Sequence, residues 1–179
     1  MKIAILARLG PALGALESAL SALGPFDRLV SVGGTLSGAQ GPELAARASR
    51  LAALGASVLR GEGDPDLPNL YHPGRLLVLG GEREASFFHA NPLHPDDGHA
   101  IRGLQDAAFY FPATPGWVGC FGAAGPSAWV LEPGGEVRPL GAQGGIRLDP
   151  RSRYLLGVGP WGLLDLSGGC YTGGRRSDP

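Results

Sequence analysis

One lysine, one methionine, two asparagines and two cysteines are spread over 179 residues, and the charges nearly cancel to −1. That balance excludes the basic footprint of a nucleic-acid binder or of a protein drawn to anionic membranes. Cys120 and Cys170 are single and far apart. They make neither a CxxC pair nor a disulfide framework, so a reducing cytoplasm is the expected compartment. No run approaches the ~18–20 apolar residues of a membrane helix. The apolar run Ile3–Ala7 is too short for a secretory leader and is followed by Arg8. All but one of the 15 basic residues are arginine. Arg-for-Lys exchange is no general mark of thermophily, so this bias reads as a GC-rich genome.

Glycine and proline are plentiful, at 31 and 16 residues, and they stand scattered between apolar runs. With 44% apolar residues and a mean hydropathy of +0.05, the chain reads as a compact fold with many tight turns. Its length suits one domain with a real core. Residues 1–172 are expected to form that domain and 173–179 a flexible tail.

Ile3–Ala7 reads as a buried strand. Leu13, Leu16, Leu20 and Leu23 recur at helical spacing between Pro11 and Gly24. Leu29–Val32 reads as a second strand, Glu43–Leu54 as a helix capped by Gly55, and Ser57–Arg60 as a third strand. This order predicts parallel strands with right-handed crossovers, whose sites lie in the loops 8–12, 33–41 and 61–74. Further strands are expected at Leu76–Leu79, Ser86–His89, Ala107–Phe111, Trp117–Phe121, Ala128–Leu131, Glu136–Leu140, Tyr154–Val158 and Leu163–Leu166, with a short helix within Asp96–Gln105. The two halves should form two packed sheets with helices outside.

Six short segments carry a resemblance. Arg8-Leu9-Gly10 follows the first strand, Gly33-Gly34 the second and Gly61-Glu62-Gly63-Asp64 the third; His89-Ala90-Asn91-Pro92, Gly119-Cys120-Phe121-Gly122 and Gly157-Val158-Gly159-Pro160 follow later ones. In order and spacing, with LGALESAL in the first helix, the chain resembles the calcineurin-like metallophosphoesterases of the small one-domain bacterial phosphodiesterase type. The resemblance implies an α/β fold, a two-sheet β-sandwich flanked by helices in αββα layers. That family places Asp-x-His, Gly-Asp, Gly-Asn-His-Asp, His-Gly-x-Pro and Gly-His-Thr-His at the first five segments. Its ligands hold two metal ions ~3.5–4 Å apart that bind phosphate and activate water. Here Arg8 stands at the first Asp position, Gly10 at the His, glycine at the bridging carboxylate and Glu62 at the Asn. Asp64 and His89 remain.

The resemblance therefore implies a degenerate member without a binuclear centre, with no cofactor expected. Such a protein would be a pseudoenzyme that binds, regulates or scaffolds, with a protein partner or a second copy of itself on its apolar half and its three Trp. Arg8, Glu62, Asp64 and His89 are the anion-binding candidates, for phosphate or another small anion. A guanidinium cannot ligate metal, so Arg8 would stand in for the lost cations, pairing with Asp64 or Glu62 or leaving its fork free. The plainer reading leaves Arg8 in solvent. The alternative is an active phosphoesterase with a site rebuilt around His89, His94 and His99, holding a single divalent metal or none. The segment 89–99 fits no established zinc spacing and also reads as a polar loop with Asp96 or Asp97 as a helix cap. Val32–Gly38 lacks the Walker lysine, Ser127 and Ser167 sit in no nucleophile elbow, Trp117, Trp129 and Trp161 read as core or interface anchors, and Arg175-Arg176 as solvated charge.

Overall fold

The computed structural model describes all residues except 12–13, 68, 94–99, 142–144 and 175–179. Two β-α units and a third strand open the chain: β1 (Lys2–Leu6), α1 (Ala15–Ala22), β2 (Arg28–Ser31), α2 (Gly41–Ala53) and β3 (Ser57–Val58). β1, β2 and β3 lie parallel, as the crossovers predict. Gly55, at φ 62°, ends α2, and the N–H of Ala56 reaches back to the carbonyl of Leu51 at 3.0 Å. This left-handed position is the glycine C-cap that the sequence predicts.

Next come β4 (Leu76–Gly80), β5 (Glu84–Phe88), α3 (Leu104–Tyr110), a 3-10 turn at Phe111–Ala113, β6 (Val118–Gly122), β7 (Ser127–Leu131), β8 (Val137–Leu140), β9 (Gly145–Arg147), β10 (Arg153–Val158), β11 (Trp161–Asp165) and β12 (Cys170–Gly174). One sheet has the order β3-β2-β1-β11-β12-β9 and the other β4-β5-β6-β10-β7-β8.

The layers follow from strand parity. In β1, Ile3 and Ile5 face the other sheet and join Val30, Phe87, Val118, Leu156 and Leu164 in the central core. Ala4 and Leu6 face the other way and pack with Leu16 and Ala19 of α1, Leu23 at its C-cap and Leu51 of α2. On the far side of the second sheet, Phe88, Phe121, Trp129 and Leu155 meet Ala107 and Phe111. The result is the expected αββα sandwich. Among the described residues, no helix is long and apolar enough to cross a membrane.

Three expectations need correction. Ala107–Phe111 is helical: Asp106 Oδ2 accepts the N–H groups of Arg102 and Gly103 at 2.8 and 3.1 Å, capping α3, and Ala107 and Phe111 are buried at helical spacing. The helix expected within 96–105 begins at Leu104; residues 96–99 lie outside the described residues. The halves of the chain also do not map one to one on the sheets. β11 crosses back and pairs antiparallel with β1, carrying β12 and β9 with it, so the buried strand β1 has a partner on both edges. Finally, Gly173 and Gly174, assigned to a loose tail, close β12 opposite Gly162 and Trp161.

Candidate functional site

The loops after β1, β2 and β3 converge, joined by two buried charged side chains and one imidazole. Asp64 is the first. Its Oδ2 accepts the N–H groups of Gly34 and Gly61, each at 2.9 Å, and Oδ1 accepts that of Leu36 at 3.1 Å. The carboxylate is 7% exposed and ties the second loop to the third. A carboxylate holding three backbone donors has its oxygens committed to the fold.

Arg47 is the second, and it was not among the sequence candidates. It is 2% exposed on α2. Nε donates to Glu43 at 2.7 Å, and Nη1 donates to the carbonyls of Gly10 at 2.8 Å and Thr35 at 3.1 Å. It thereby pins the first two loops to the helix. Its signal was visible in the sequence. Arg47 lies on the same helical stripe as Leu44, Leu51 and Leu54, with an acid four residues earlier, and a cation on an apolar face predicts a buried pair.

His89 follows β5 and is 3% exposed. Its Nδ1 lies 3.1 Å from the carbonyl of Val32, and its Nε2 accepts the N–H of Glu62 at 3.1 Å. An N–H donor at Nε2 leaves Nδ1 as the protonated nitrogen, a neutral imidazole engaged at both ends. The ring fits a slot whose sides are glycines. A Cβ on Gly61 would stand 2.7 Å from Cε1, and one on Gly33 2.9 Å from Cγ. The backbone carbonyl of His89 also accepts the N–H of Gly122, joining β5 to β6 at the same end of the sandwich.

Arg8 is exposed and sits in the left-handed region at φ 46°, with its N–H on the carbonyl of Gly33 at 3.2 Å. A Cβ on Gly34 would lie 3.1 Å from its Cγ. The side chain therefore lies along the second loop. Among the described residues it makes no ion pair, so neither Asp64 nor Glu62 holds it. Glu62 is itself exposed and contributes its backbone N–H to His89.

The segment Gly119–Gly122 lies within β6, not in the loop after it, and Cys120 is wholly buried between the sheets, where burial pushes its thiol well above the usual range. The loop that follows β6, Ala123–Pro126, contains no imidazole. His94 and His99, the partners of His89 in the rebuilt-site alternative, lie outside the described residues. Among the described residues no three His, Cys, Asp or Glu side chains gather as metal ligands. Among the described residues the donors at the motif positions do not fit two metal ions: the imidazole is engaged at both nitrogens, the surviving aspartate holds backbone, glycine or arginine stands at the first two motifs, and the exposed Glu62 has no second ligand gathered beside it.

No family model matches the chain, and no curated protein matches it in sequence. Among solved structures it is similar to a metallophosphoesterase from Sphaerobacter thermophilus, with a TM-score of 0.71 and 18% identity over 96% of this chain and 87% of that one. It is also similar to Vps29 from Entamoeba histolytica, crystallised with zinc, with a TM-score of 0.53 and 11% identity over 94% of this chain and 87% of that one. Identities this low speak to architecture alone, and the architecture is the one that the sequence motifs imply: the chain has the metallophosphoesterase fold.

Proposed function

We propose that this protein binds rather than hydrolyses, as a pseudoenzyme on a metallophosphoesterase fold that works without a binuclear metal centre. One observation carries the reading. His89, the imidazole at the fourth metal motif, spends Nδ1 on Val32 and Nε2 on Glu62 within a slot formed by Gly33 and Gly61. It has no lone pair left for a metal or for a substrate proton. Asp64 is committed in the same way to Gly34, Leu36 and Gly61.

Among the described residues at this end of the sandwich, Arg8 is a cation with no ion pair. Its guanidinium is a permanent, exposed cation lying along the second loop, suited to a phosphate or carboxylate brought by a ligand or by a partner protein. The strained φ holds that cation at the carboxyl ends of the parallel strands, where α/β folds place their sites.

The test is an assay of purified protein against a generic aryl phosphodiester with added manganese, beside a titration with inorganic phosphate. The expected outcome is no metal-dependent turnover, and phosphate binding that weakens in Arg8→Gln. Turnover that needs manganese and disappears in His89→Ala would overturn the reading in favour of hydrolysis.

A further inference from the structure

The two sheets part at the amino-terminal ends of β1 and β2, at the other end of β1 from Arg8. A cavity of about 640 Å³ opens there, lined among others by Arg28, Leu79, Glu82, Arg83 and Leu166. Its volume lies within the ~300–1,000 Å³ of small-molecule sites.

Parity explains why it carries charge. Val30 faces the central core and Leu29 the helices, so Arg28, two residues before Val30, lies on the inner face of its sheet. An apolar residue there would extend the core; arginine ends it at a charged mouth. Among the described residues the side chain of Arg28 makes no hydrogen bond or ion pair. From the opposite sheet, Arg83 closes the β4-β5 turn. Its guanidinium lies over the ring of Trp117, 4.8 Å from the centroid, and Nη1 donates to the carbonyl of Leu166 at 3.4 Å. Stacking fixes the plane of that fork and leaves other N–H groups to donate. Among the described residues Glu82 is the one carboxylate in the lining, and two arginine charges outweigh it. Leu79 and Leu166 supply apolar wall.

We propose that this inter-sheet cavity binds a small organic anion, a carboxylate or phosphate on an apolar body, with Arg28 and Arg83 holding the charge and Leu79 and Leu166 the body. The site is separate from the Arg8 end of the molecule and stands or falls independently of it.

Calorimetric titration of the full chain with phenyl phosphate, hexanoate and inorganic phosphate tests the idea. An organic anion should bind saturably and more tightly than inorganic phosphate, because only it covers the leucine wall. Phenyl phosphate binding alone identifies the head group as phosphate; hexanoate alone identifies it as carboxylate. Losing one charge-assisted hydrogen bond should weaken binding about tenfold or more in Arg28→Gln. Arg28 is exposed, so this variant should keep the wild-type Tm and leave the loss attributable to the site. Arg8→Gln should bind the organic anions as wild type does. Binding should also change the fluorescence of Trp117 beneath Arg83, a signal absent in Trp117→Phe. The proposal fails if neither organic anion saturates up to about 10 mM. It fails too if their binding survives Arg28→Gln, or is lost in Arg8→Gln instead, which would place the anion at the other end of the sandwich.

Discussion

The backbone N–H of Glu62 points at Nε2 of His89 from 3.1 Å. That bond turns the residue best placed to be a ligand or general base into a bracket between two loops. With Nδ1 on Val32, the ring spans the ends of β2, β3 and β5. Replacing it should therefore cost stability. His89→Phe would leave the Val32 carbonyl buried and unpaired, at roughly 1–3 kcal/mol, and would strip the partner from the part-buried Glu62 N–H at a smaller cost. His89→Ala would add a cavity. Thermal and urea unfolding should show both variants several kcal/mol less stable. A His89→Ala protein as stable as wild type would show that the ring is not a bracket.

Much of this was legible before any coordinates. Apolar runs and glycine punctuation placed β1, β2, α1, α2 and the two-sheet plan, because buried parallel strands and amphipathic helices write their period directly into sequence. The strand expected at Ala107–Phe111 shows the limit. A short run of Ala, Phe and Tyr suits either state, and Asp106 decides it by capping a helix whose entry lies in Arg102 and Gly103. β9 and β12 were missed because both are short, glycine-bearing and stabilised by partners distant in the chain. At the site, which residue stands at each motif position was readable directly. What filled the space was not, since no local pattern says that His89 will lie between Gly33 and Gly61.

Those glycines set up a second prediction. A methyl group on Gly61 would meet Cε1 of His89 at 2.7 Å and the N of Gly34 at the same distance, and the latter is backbone that cannot swing aside. Gly33 adds a φ of 94°, which an L side chain rarely adopts. Gly61→Ala and Gly33→Ala should each destabilise by about 2–4 kcal/mol, the range for overpacking and backbone strain. In His89→Ala the steric part of the Gly61→Ala penalty should shrink, because one of the three colliding groups is gone. A double-mutant cycle measured by urea unfolding reads this coupling.

Restoring a carboxylate at the second motif should not restore a metal centre. In Gly34→Asp the new side chain would enter beside Arg8, whose Cγ lies 3.1 Å from the Cβ position, and would pair with the guanidinium. His89 and Asp64 would stay committed as before. A ligand that binds only the folded state raises Tm by mass action. Wild type and Gly34→Asp should therefore show the same Tm with and without millimolar manganese. A rise of several degrees in either protein would reveal a metal site that the described residues do not form.

The two buried charges are expected to matter more than any surface pair. Arg50–Glu17, at 3.0 Å, joins two well-exposed side chains, and Arg50→Ala should change stability by under ~1 kcal/mol. Arg47 is 2% exposed. Arg47→Ala strips partners from Glu43 and from the Gly10 and Thr35 carbonyls, at roughly 3–5 kcal/mol. Asp64→Asn keeps the shape but places an N–H₂ against backbone N–H groups and should cost about 2–4 kcal/mol. Urea unfolding of the three variants checks the ranking, and hydrogen exchange at Gly34, Leu36 and Gly61 should accelerate in Asp64→Asn alone.

Alkaline pH should unfold this protein through two tyrosines and a thiol. Burial, with Asp64 nearby, pushes the Tyr71 phenol from 10.0 up to about 12. Burial raises Tyr171 further still, and lifts Cys120 far above its ordinary 9.0. All three are acids whose folded pKa exceeds the unfolded one, so the folded state holds more protons at high pH. Their stabilising contribution is complete below pH 9 and declines as pH rises past the unfolded values, through pH 10 and towards 12 for Tyr71. Tyr171 adds a second effect. Its hydroxyl is buried and, among the described residues, has no hydrogen-bond partner, and it fits the space left by Gly162 and Gly173. Burying an unpaired hydroxyl is unfavourable, whereas the phenyl ring alone is not. Tyr171→Phe should therefore gain roughly 1 kcal/mol at neutral pH, about 2–4 °C in Tm for a chain of this size. It should also shift the alkaline unfolding midpoint upward, since one of the three acids no longer ionises. Thermal melts at neutral pH and pH titrations followed by circular dichroism measure both. A lower Tm in Tyr171→Phe would mean that the hydroxyl has a bonding partner after all.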